Sequence, residues 1–318
     1  MRIGRRAVLG TMLAAPALAQ PEFPARPVRL VVGYPPGGST DLVARLLAER
    51  LSRAWGQPVV VENRPGAAGT LGADLVAKAA PDGYTLLVGA SGEMAVARAV
   101  MRSIPYQPAD FAPIAWLTEQ PFLVLVHAGL PARSLGDLVA LARERNGRLD
   151  YASHGNGTAN HLLAELLKVE TGVAITHIPY RGGGPAMTDL VSGNVPMLLD
   201  VIPSAMPHLA SGRVRALALC RATRSAVLPE VPTTAEAGFP FLTGSTWATL
   251  VAPARMPESV LARIGDAVQA AMRDGLAEAF RERGLEPVGA DAAAARAFIA
   301  AEQAKWVQMA QRAGVQPE

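Results

Sequence analysis

The chain has 318 residues, half of them hydrophobic and 18% charged, with 30 basic and 27 acidic side chains. This composition is that of a globular protein, and the length is sufficient for two domains with separate cores. A single cysteine, Cys220, excludes an internal disulfide and a metal site built on thiolates, and the run Val214–Leu219 before it predicts a buried strand. Aromatic residues make up only 5% and no basic run carries them, so we expect no nucleic-acid partner.

Residues 1–19 have the pattern of a signal peptide. Three arginines lie within the first six residues, the apolar stretch Ala7–Leu18 follows, and Ala17-Leu18-Ala19 supplies a small-x-small cleavage site. The stretch is shorter than the roughly 20 residues that a membrane-spanning helix needs. Removing the three arginines leaves 27 basic and 27 acidic residues, so the mature chain is formally neutral. We expect a periplasmic protein, and the pair Arg5-Arg6 leaves either the Sec or the twin-arginine route open.

The mature chain begins with three repeats of strand, glycine-containing loop and helix. The strand Val28–Val32 runs into the loop Gly33–Gly38 and then into a helix with a leucine-rich face. The strands Pro58–Val61 and Tyr84–Val88 each lead into a further loop and helix. Such repeats predict parallel βαβ units with right-handed crossovers.

Two later segments are predicted to cross between lobes. The run Phe111–His127 is long for one strand and is broken by Pro121, and Ser245–Val251 offers a return path. Between them a second α/β set begins with a helix over Ser134–Arg145 and includes the strand Tyr151–Ser153. Two further helices are predicted at the C-terminal end, over 257–282 and 292–313. The predicted lobes are 20–122 with 244–318, and 123–243, and a ligand is expected between them.

Each predicted lobe contains the same chemical element, a strand end followed by a glycine-rich loop and a helix. The two loops are Pro35–Asp41 and His154–Thr158. A helix start presents unpaired backbone N–H groups and a partial positive charge, which together attract anions. One such loop alone is more typical of a helix-capping turn without a ligand, and Pro35–Gly38 lacks the Lys-Ser/Thr of a nucleotide-binding P-loop. Their occurrence in both lobes favours a ligand with one or two carboxylates.

Several motifs along the chain resemble the tripartite tricarboxylate transporter substrate-binding proteins, the TctC or Bug family. The resemblance covers nearly the whole mature chain and rests on Tyr34–Asp41, Val60–Gly69, Pro81–Leu87, Tyr151–Ser153, Gly155–Thr158 with His161, Ile178–Tyr180, Pro229–Thr233 and Glu236–Gly238. It implies the type II periplasmic-binding-protein fold, a two-lobed α/β clamshell in which helices flank a mixed, mostly parallel sheet in each lobe. It also implies a monomer that captures a small organic acid or a related amide or amino-acid-like solute. The implied partner is a membrane permease, or else a membrane receptor if the loaded protein acts as a sensor.

The same resemblance implies which residues touch the ligand. The backbone N–H groups of Gly37, Gly38 and Ser39 are expected to hold one carboxylate, and Thr158 with its neighbouring amides the distal end. Asp200 would accept from a bridging water or a ligand amine, or would instead cap the helix around Ser204. The full expected set is Tyr34, Gly37, Gly38, Ser39, Thr40, Ser91, Glu93, Ser153, Gly155, Asn156, Gly157, Thr158 and Asp200.

Glu93 departs from the family pattern, which has uncharged residues beside the position of Ser91. If Glu93 faces the cleft, it would repel a plain dicarboxylate and favour a ligand with a cationic or neutral polar group. If it lies in a first helical turn, it complements the helix dipole and carries no information on the ligand.

An α/β hydrolase is the main enzymatic alternative. Gly89–Gly92 approaches a nucleophile elbow, but Glu93 occupies the position of its second glycine. His154 and His161 are the candidate bases, and the histidines lack the spacing of a metal-binding motif such as H-E-x-x-H. We therefore expect a binding protein with no cofactor, no metal and no catalytic residue.

Overall fold

The computed structural model describes residues 23–317, so the predicted signal peptide lies outside the described residues. Over that range no helix is long and apolar enough to cross a membrane. The chain forms a mixed α/β fold in which a curled ten-stranded sheet is flanked by helices. The predicted α/β fold with helices flanking a mixed sheet is confirmed.

The first part of the chain builds a parallel block of three strands in the order β2-β1-β3. β1 and β3 are buried on both faces, as expected for central parallel strands covered by helices. α1 buries a leucine-rich face against them and ends at Gly56, which adopts the left-handed conformation of a C-cap. The elements are β1 Val28–Val32, α1 Ser39–Trp55, β2 Val59–Asn63, α2 Thr70–Ala77, β3 Thr85–Ala90 and α3 Ala97–Val100.

One long strand, β4 (Phe111–His127), joins two sheet regions. Its first part, to Pro121, pairs with β9 (Ser245–Pro253), and its last part, from Phe122, pairs with β7 and β8, at Met197–Val201 and Val214–Leu219. The partners thus change between Pro121 and Phe122.

The chain between β4 and β9 builds the second sheet region around parallel strands β6, β5 and β7. Cys220, directly after β8, is only 1% exposed, and its burial raises the pKa of its thiol. It is therefore an inert core residue, as predicted. The remaining elements of this region are α4 Leu135–Arg145, β5 Asp150–Ser153, α5 Ala159–Thr171, β6 Thr176–Pro179, α6 Gly183–Ser192 and α7 Ile202–Ala210.

The C-terminal part differs from its prediction in two places. The helix expected over 257–282 is interrupted, because Asp274 and Gly275 leave the helical conformation. The unpredicted strand β10 (Glu286–Ala290) pairs antiparallel with β4. The helices here are α8 Glu258–Ala271, α9 Ala277–Arg281 and α10 Ala292–Arg312.

The strand directions determine where the loops of the two sheet regions lie. β1 and β3 run in the same direction as the first part of β4, whereas β5 and β7 run opposite to its last part. The carboxyl ends of both parallel sets therefore point toward the Pro121–Phe122 junction. Ala90, at the end of β3, lies level with Thr118 of β4, and Asp200, near the end of β7, lies level with Leu123. At 3.4 Å per residue, the ends of β3 and β7 are therefore about 17 Å apart along β4. The two glycine-rich loops consequently face one cleft.

Candidate ligand-binding cleft

The loop after β1 is held from within by Asp41, a buried residue in the first turn of α1. Its carboxylate accepts hydrogen bonds from the Gly37 N–H at 2.9 Å, from the guanidinium of Arg45 at 2.9 and 3.0 Å, and from the Asn63 amide at 2.9 Å. Burial alone would raise the pKa of Asp41, but these donors lower it overall. Since its N–H is committed to Asp41, Gly37 shapes the loop and does not offer the ligand donor that the sequence suggested.

The backbone N–H groups of the first loop that remain available to a ligand begin at the next residue, Gly38. Gly38 is the N-cap of α1 and supplies no side-chain cap, and the N–H groups of Gly38, Ser39 and Thr40 have no acceptor among the described residues. The hydroxyl groups of Ser39 and Thr40 are likewise without a partner in that part of the chain. Three amides and two hydroxyls thus converge at the positive end of a 17-residue helix.

Tyr34 and Glu93 form a pair beneath this loop, and neither reaches into the cleft with its polar atoms. The Tyr34 hydroxyl donates to Glu93 Oε2 at 2.7 Å, and Glu93 Oε1 accepts from the Ala90 N–H at 2.7 Å. Glu93 is only 1% exposed. Of the two alternatives for Glu93, the structure favours the second, because Glu93 lies in the first turn of the helical segment Gly92–Val96 and supports the loop from below.

Tyr34 and Glu93 lie so close to the backbone of two glycines that a Cβ atom at either glycine would clash with them. A Cβ atom at Gly92 would lie 2.2 Å from the Tyr34 hydroxyl oxygen, and one at Gly69 would lie 2.6 Å from Glu93 Oε2. Burial raises the pKa of Glu93 to about 7, although its hydrogen bonds oppose the shift. Burial and the adjacent Glu93 also raise the pKa of Tyr34 well above its ordinary value. The site thus contains a carboxyl group that changes charge near neutral pH.

Ser91 belongs to the wall of the cleft rather than to its open surface. It is 3% exposed, and its hydroxyl donates to Thr246 Oγ1 on β9 at 3.0 Å. This bond ties the end of β3 to the returning strand, so we assign Ser91 a supporting role.

The loop after β5 is also internally bonded. Ser153 is fully buried, and its Oγ accepts from the Gly155 N–H at 3.1 Å. The Thr158 hydroxyl lies 2.7 Å from the Gly155 carbonyl oxygen and 2.7 Å from Asn160 Oδ1, and the Gly157 N–H donates to His161 Nδ1 at 3.1 Å. These predicted site residues are brought together, but most of their donors serve the loop itself.

The open amides of the second loop belong to Asn156, Ala159 and Asn160. None of the three has an acceptor within residues 23–317. Thr158 is the N-cap of α5 without a side-chain cap bond, so the first amides of the helix stay available. Of these three residues the sequence named only Asn156, but the amides that it expected next to Thr158 include that of Ala159.

Asp200 and His154 add a polar pair at the carboxyl ends of β7 and β5. Asp200 is 2% exposed and its Oδ1 accepts from the Val201 N–H, while Oδ2 lacks a hydrogen-bond partner. His154 Nε2 lies 3.4 Å from Oδ2 and also lacks a hydrogen-bond partner. Asp200 does not cap the helix around Ser204, whose hydroxyl bonds the Val201 carbonyl instead. Two buried polar atoms without partners at a strand end are typical of a position that a ligand or a water completes.

His154 was considered from the sequence only as a base. A Cβ atom on Gly183 would lie 3.0 Å from His154 Nε2 and 3.5 Å from Asp200 Oδ2, so this glycine leaves the pair uncovered. The one signal for His154 in the sequence is its position directly after the strand Tyr151–Ser153. No group of three or more metal-binding side chains comes together in the described part of the chain.

Comparison with known proteins places this geometry among solute receptors. The family model "Tripartite tricarboxylate transporter family receptor" (TctC) matches residues 43–315. BugT of Bordetella pertussis is 39% identical over 315 residues, which covers 97% of each chain. The structure of Rpa4515 of R. palustris with adipate has a TM-score of 0.89 and 39% identity, covering 93% of this chain and 100% of that one. MatC of Rhodopseudomonas palustris, solved with bound malate, has a TM-score of 0.83 and 34% identity over 90% and 99% of the two chains.

Proposed function

Because this chain belongs to the tripartite tricarboxylate transporter receptor family, we propose that it captures a small organic carboxylate in its cleft and delivers it to a membrane transporter. Members of this family, the Bug proteins among them, are periplasmic solute-binding receptors and not enzymes.

The observation that carries the proposal is the pair of open helix starts on opposite sides of the junction. Gly38, Ser39 and Thr40 offer amides at α1, and Asn156, Ala159 and Asn160 offer amides at α5. Hydrogen bonds from N–H groups to an ionised carboxylate are about twice as strong as those between neutral groups. A carboxylate at each end of the ligand would satisfy both sets without a lysine or arginine.

The His154–Asp200 pair favours a further group on the ligand. A hydroxyl or ammonium group that donates to Asp200 Oδ2 would remove the cost of leaving that buried oxygen unpaired. We therefore propose a dicarboxylate, or a carboxylate that carries such a donor, as the ligand class. The neighbouring structures with adipate and malate belong to these two classes.

A thermal-shift screen of organic acids tests the ligand class. At a concentration of about 100 times Kd, a ligand stabilises the folded protein by about 2.7 kcal/mol, which corresponds to an increase in Tm of about 5 °C. We expect at least one acid among adipate, malate and succinate to produce this increase in Tm. Native mass spectrometry should also find an acid retained in freshly purified protein. If no acid or related amide shifts Tm and none is retained, the proposed function is wrong.

Asp200→Asn tests the contribution of the unpaired oxygen. Malate and succinate differ only in one hydroxyl, so we expect the wild type to prefer malate by about tenfold, the value of one hydrogen bond to a charged group. The variant keeps the bond from the Val201 N–H to Oδ1 but replaces Oδ2 with an amide donor, and the preference should fall below about threefold. Isothermal titration calorimetry with both acids measures the ratio, and an unchanged ratio would remove Asp200 from the contacts.

We also propose that the protein works as a monomer in the periplasm, reached through its signal peptide, with a tripartite tricarboxylate-type permease as its partner. The support is the membership in a family of transporter receptors. Uptake of labelled acid by membrane vesicles of the source cell should require added ligand-loaded protein. A purely sensory role predicts unchanged uptake, and size-exclusion chromatography with light scattering tests the monomer.

A further inference from the structure

Three aromatic rings are stacked beneath the second-lobe loop, defined here as residues 153–158. The ring of Tyr151 on β5 lies 4.9 Å from that of His177 on β6, with 19° between their planes. His161, in the first turn of α5, lies 4.1 Å from His177 with an interplanar angle of 18°. The two imidazoles thus form a parallel pair supported by the phenol ring.

Each imidazole holds one end of the loop. His161 Nδ1 accepts the Gly157 N–H at 3.1 Å, and His177 Nε2 lies 2.6 Å from Ser153 Oγ, which itself accepts from the Gly155 N–H. Gly155 and Gly157 have φ values of +132° and +68°, which only glycine adopts without strain. The loop has no regular backbone ladder, so these two side-chain bonds, together with those of Thr158 and Asn160, determine which way its amides point.

The charge state of His161 and His177 decides whether the two imidazoles can orient the amides of the loop. A nitrogen that accepts the Gly157 N–H must be unprotonated, so His161 is neutral with its proton on Nε2. The charged or titratable groups recorded at the stack include Glu165, which interacts electrostatically with both imidazoles, and Tyr151 and Lys168, which each donate to Glu165 at 2.6 Å. Burial, and then the positive charge that His161 carries once it is protonated, lower the pKa of His177 to about 4.

We propose that His161 and His177 are positioning residues for the ligand carboxylate, and that protonation of this imidazole pair weakens ligand binding. The inference rests on the proposed function in assigning the amides after this loop to a carboxylate. When His161 takes up a proton at Nδ1, the Gly157 N–H loses its acceptor and faces a new donor. The loop then loses one of the bonds that set the direction of Asn156 and of the first amides of α5.

A protonated imidazole also attracts a carboxylate, which opposes this effect. That attraction is one interaction screened by water and salt, whereas the loop geometry controls several hydrogen bonds at once. The loss of geometry therefore dominates, and affinity falls as the pH falls.

The test compares two replacements of His161. Asn places its Oδ1 where His161 has Nδ1, so His161→Asn keeps an acceptor for the Gly157 N–H but cannot be protonated, whereas His161→Leu removes the acceptor. The control is His208→Asn on α7, a histidine of the same lobe whose side chain makes no described contact with the loop. Calorimetry with adipate and with malate at about pH 7.5, 6.5 and 5.5 spans the ordinary titration range of histidine. The ionisation of the acid itself is common to all variants.

In the wild type and in His208→Asn we expect Kd to rise about tenfold from the highest to the lowest pH, beyond the change seen in His161→Asn. His161→Asn should bind within about threefold of the wild type at the highest pH, and His161→Leu about tenfold or more weakly at every pH. The inference is overturned if His161→Asn shows the same pH dependence as the wild type, or if wild-type affinity increases on acidification.

A readout without ligand separates this inference from the proposed function. The ¹⁵N–¹H resonance of Gly157 should shift with pH in the wild type and stay constant in His161→Asn. If no acid binds any variant, the proposed carboxylate function fails, while this titration still decides whether His161 controls the loop. A Gly157 resonance that titrates identically in both proteins overturns the inference.

Discussion

Gly38→Val is expected to weaken binding of the carboxylate about 100-fold or more, because it blocks at least two bonds that contribute about 1.5–3 kcal/mol each. Gly38 is the exposed N-cap of α1, with φ −79° and ψ 172°, which valine adopts readily. A Cβ atom there would meet only the Pro35 carbonyl oxygen, at 4.0 Å. The side chain would therefore occupy open space over the Ser39 and Thr40 amides without straining the fold. Calorimetry gives the loss of affinity, and Tm without ligand should stay within about 2 °C of the wild type.

Gly136→Val is the matched control for this substitution. Gly136 also lies at a helix start, in the first turn of α4, and a Cβ atom there would come no closer than 3.7 Å to its nearest neighbour, Ser134 Oγ. α4 begins beyond the end of β4 that points away from the Pro121–Phe122 junction. Its variant should bind as the wild type does. Retained affinity in Gly38→Val would exclude the α1 amides from the site.

Glu93→Gln is expected to change the pH dependence of stability by about 3 kcal/mol, because the pKa of Glu93 is raised by burial from 4.5 to about 7. A carboxyl group whose pKa is higher in the folded state favours folding while protonated. That contribution is fully present below about pH 4.5 and is lost as the pH rises to about 7. Glutamine does not titrate, so the variant gains stability relative to the wild type as the pH rises through this range.

The replacement can keep the local hydrogen bonds. Its Oε1 can accept the Ala90 N–H, its amide can donate to the Tyr34 hydroxyl, and that hydroxyl can then donate to the Ala68 carbonyl, already 3.1 Å away. Urea unfolding of both proteins at about pH 5 and pH 8 gives the difference in the free energy of unfolding. Glu49→Gln, an exposed residue on α1 paired with Arg53, is the control and should show less than about a third of the effect. Parallel stability curves for Glu93→Gln and the wild type would contradict a raised pKa at this site.

Much of the fold followed from local sequence pattern. The parallel strands β1 and β3 are mostly apolar runs that end in glycine-containing loops, and the resemblance to the TctC or Bug family is confirmed. The absence of a nucleophile elbow pointed to a binding protein, which the family confirms. β10 escaped prediction because Pro287 and Gly289 are poor strand residues, and its place is decided by the edge of β4.

The site was predicted at the level of loops but not of individual donors. Sequence pattern indicates a helix start, but which amides stay open depends on residues distant in the chain or on a neighbouring turn. Asp41 takes the Gly37 N–H and His161 takes that of Gly157, while Glu93 is turned inward by Tyr34. None of these bonds follows from propensity or periodicity, since each depends on how a loop folds back on the helix or strand beside it.

The unbroken course of β4 restricts how the two halves of the molecule can move. Ladder bonds fix β4 to β9 up to Pro121 and to β7 and β8 from Phe122 onward, so neither half can slide along the strand without breaking them. Relative motion is therefore a rotation about the short segment between these ladders, and it changes an angle rather than a register. The offset along β4 between the ends of β3 and β7 is the same at every angle, so strand register determines which residues of the two halves face each other. The distance across the cleft changes with the angle, and the rotation therefore adjusts the cleft to the length of the acid that bridges it.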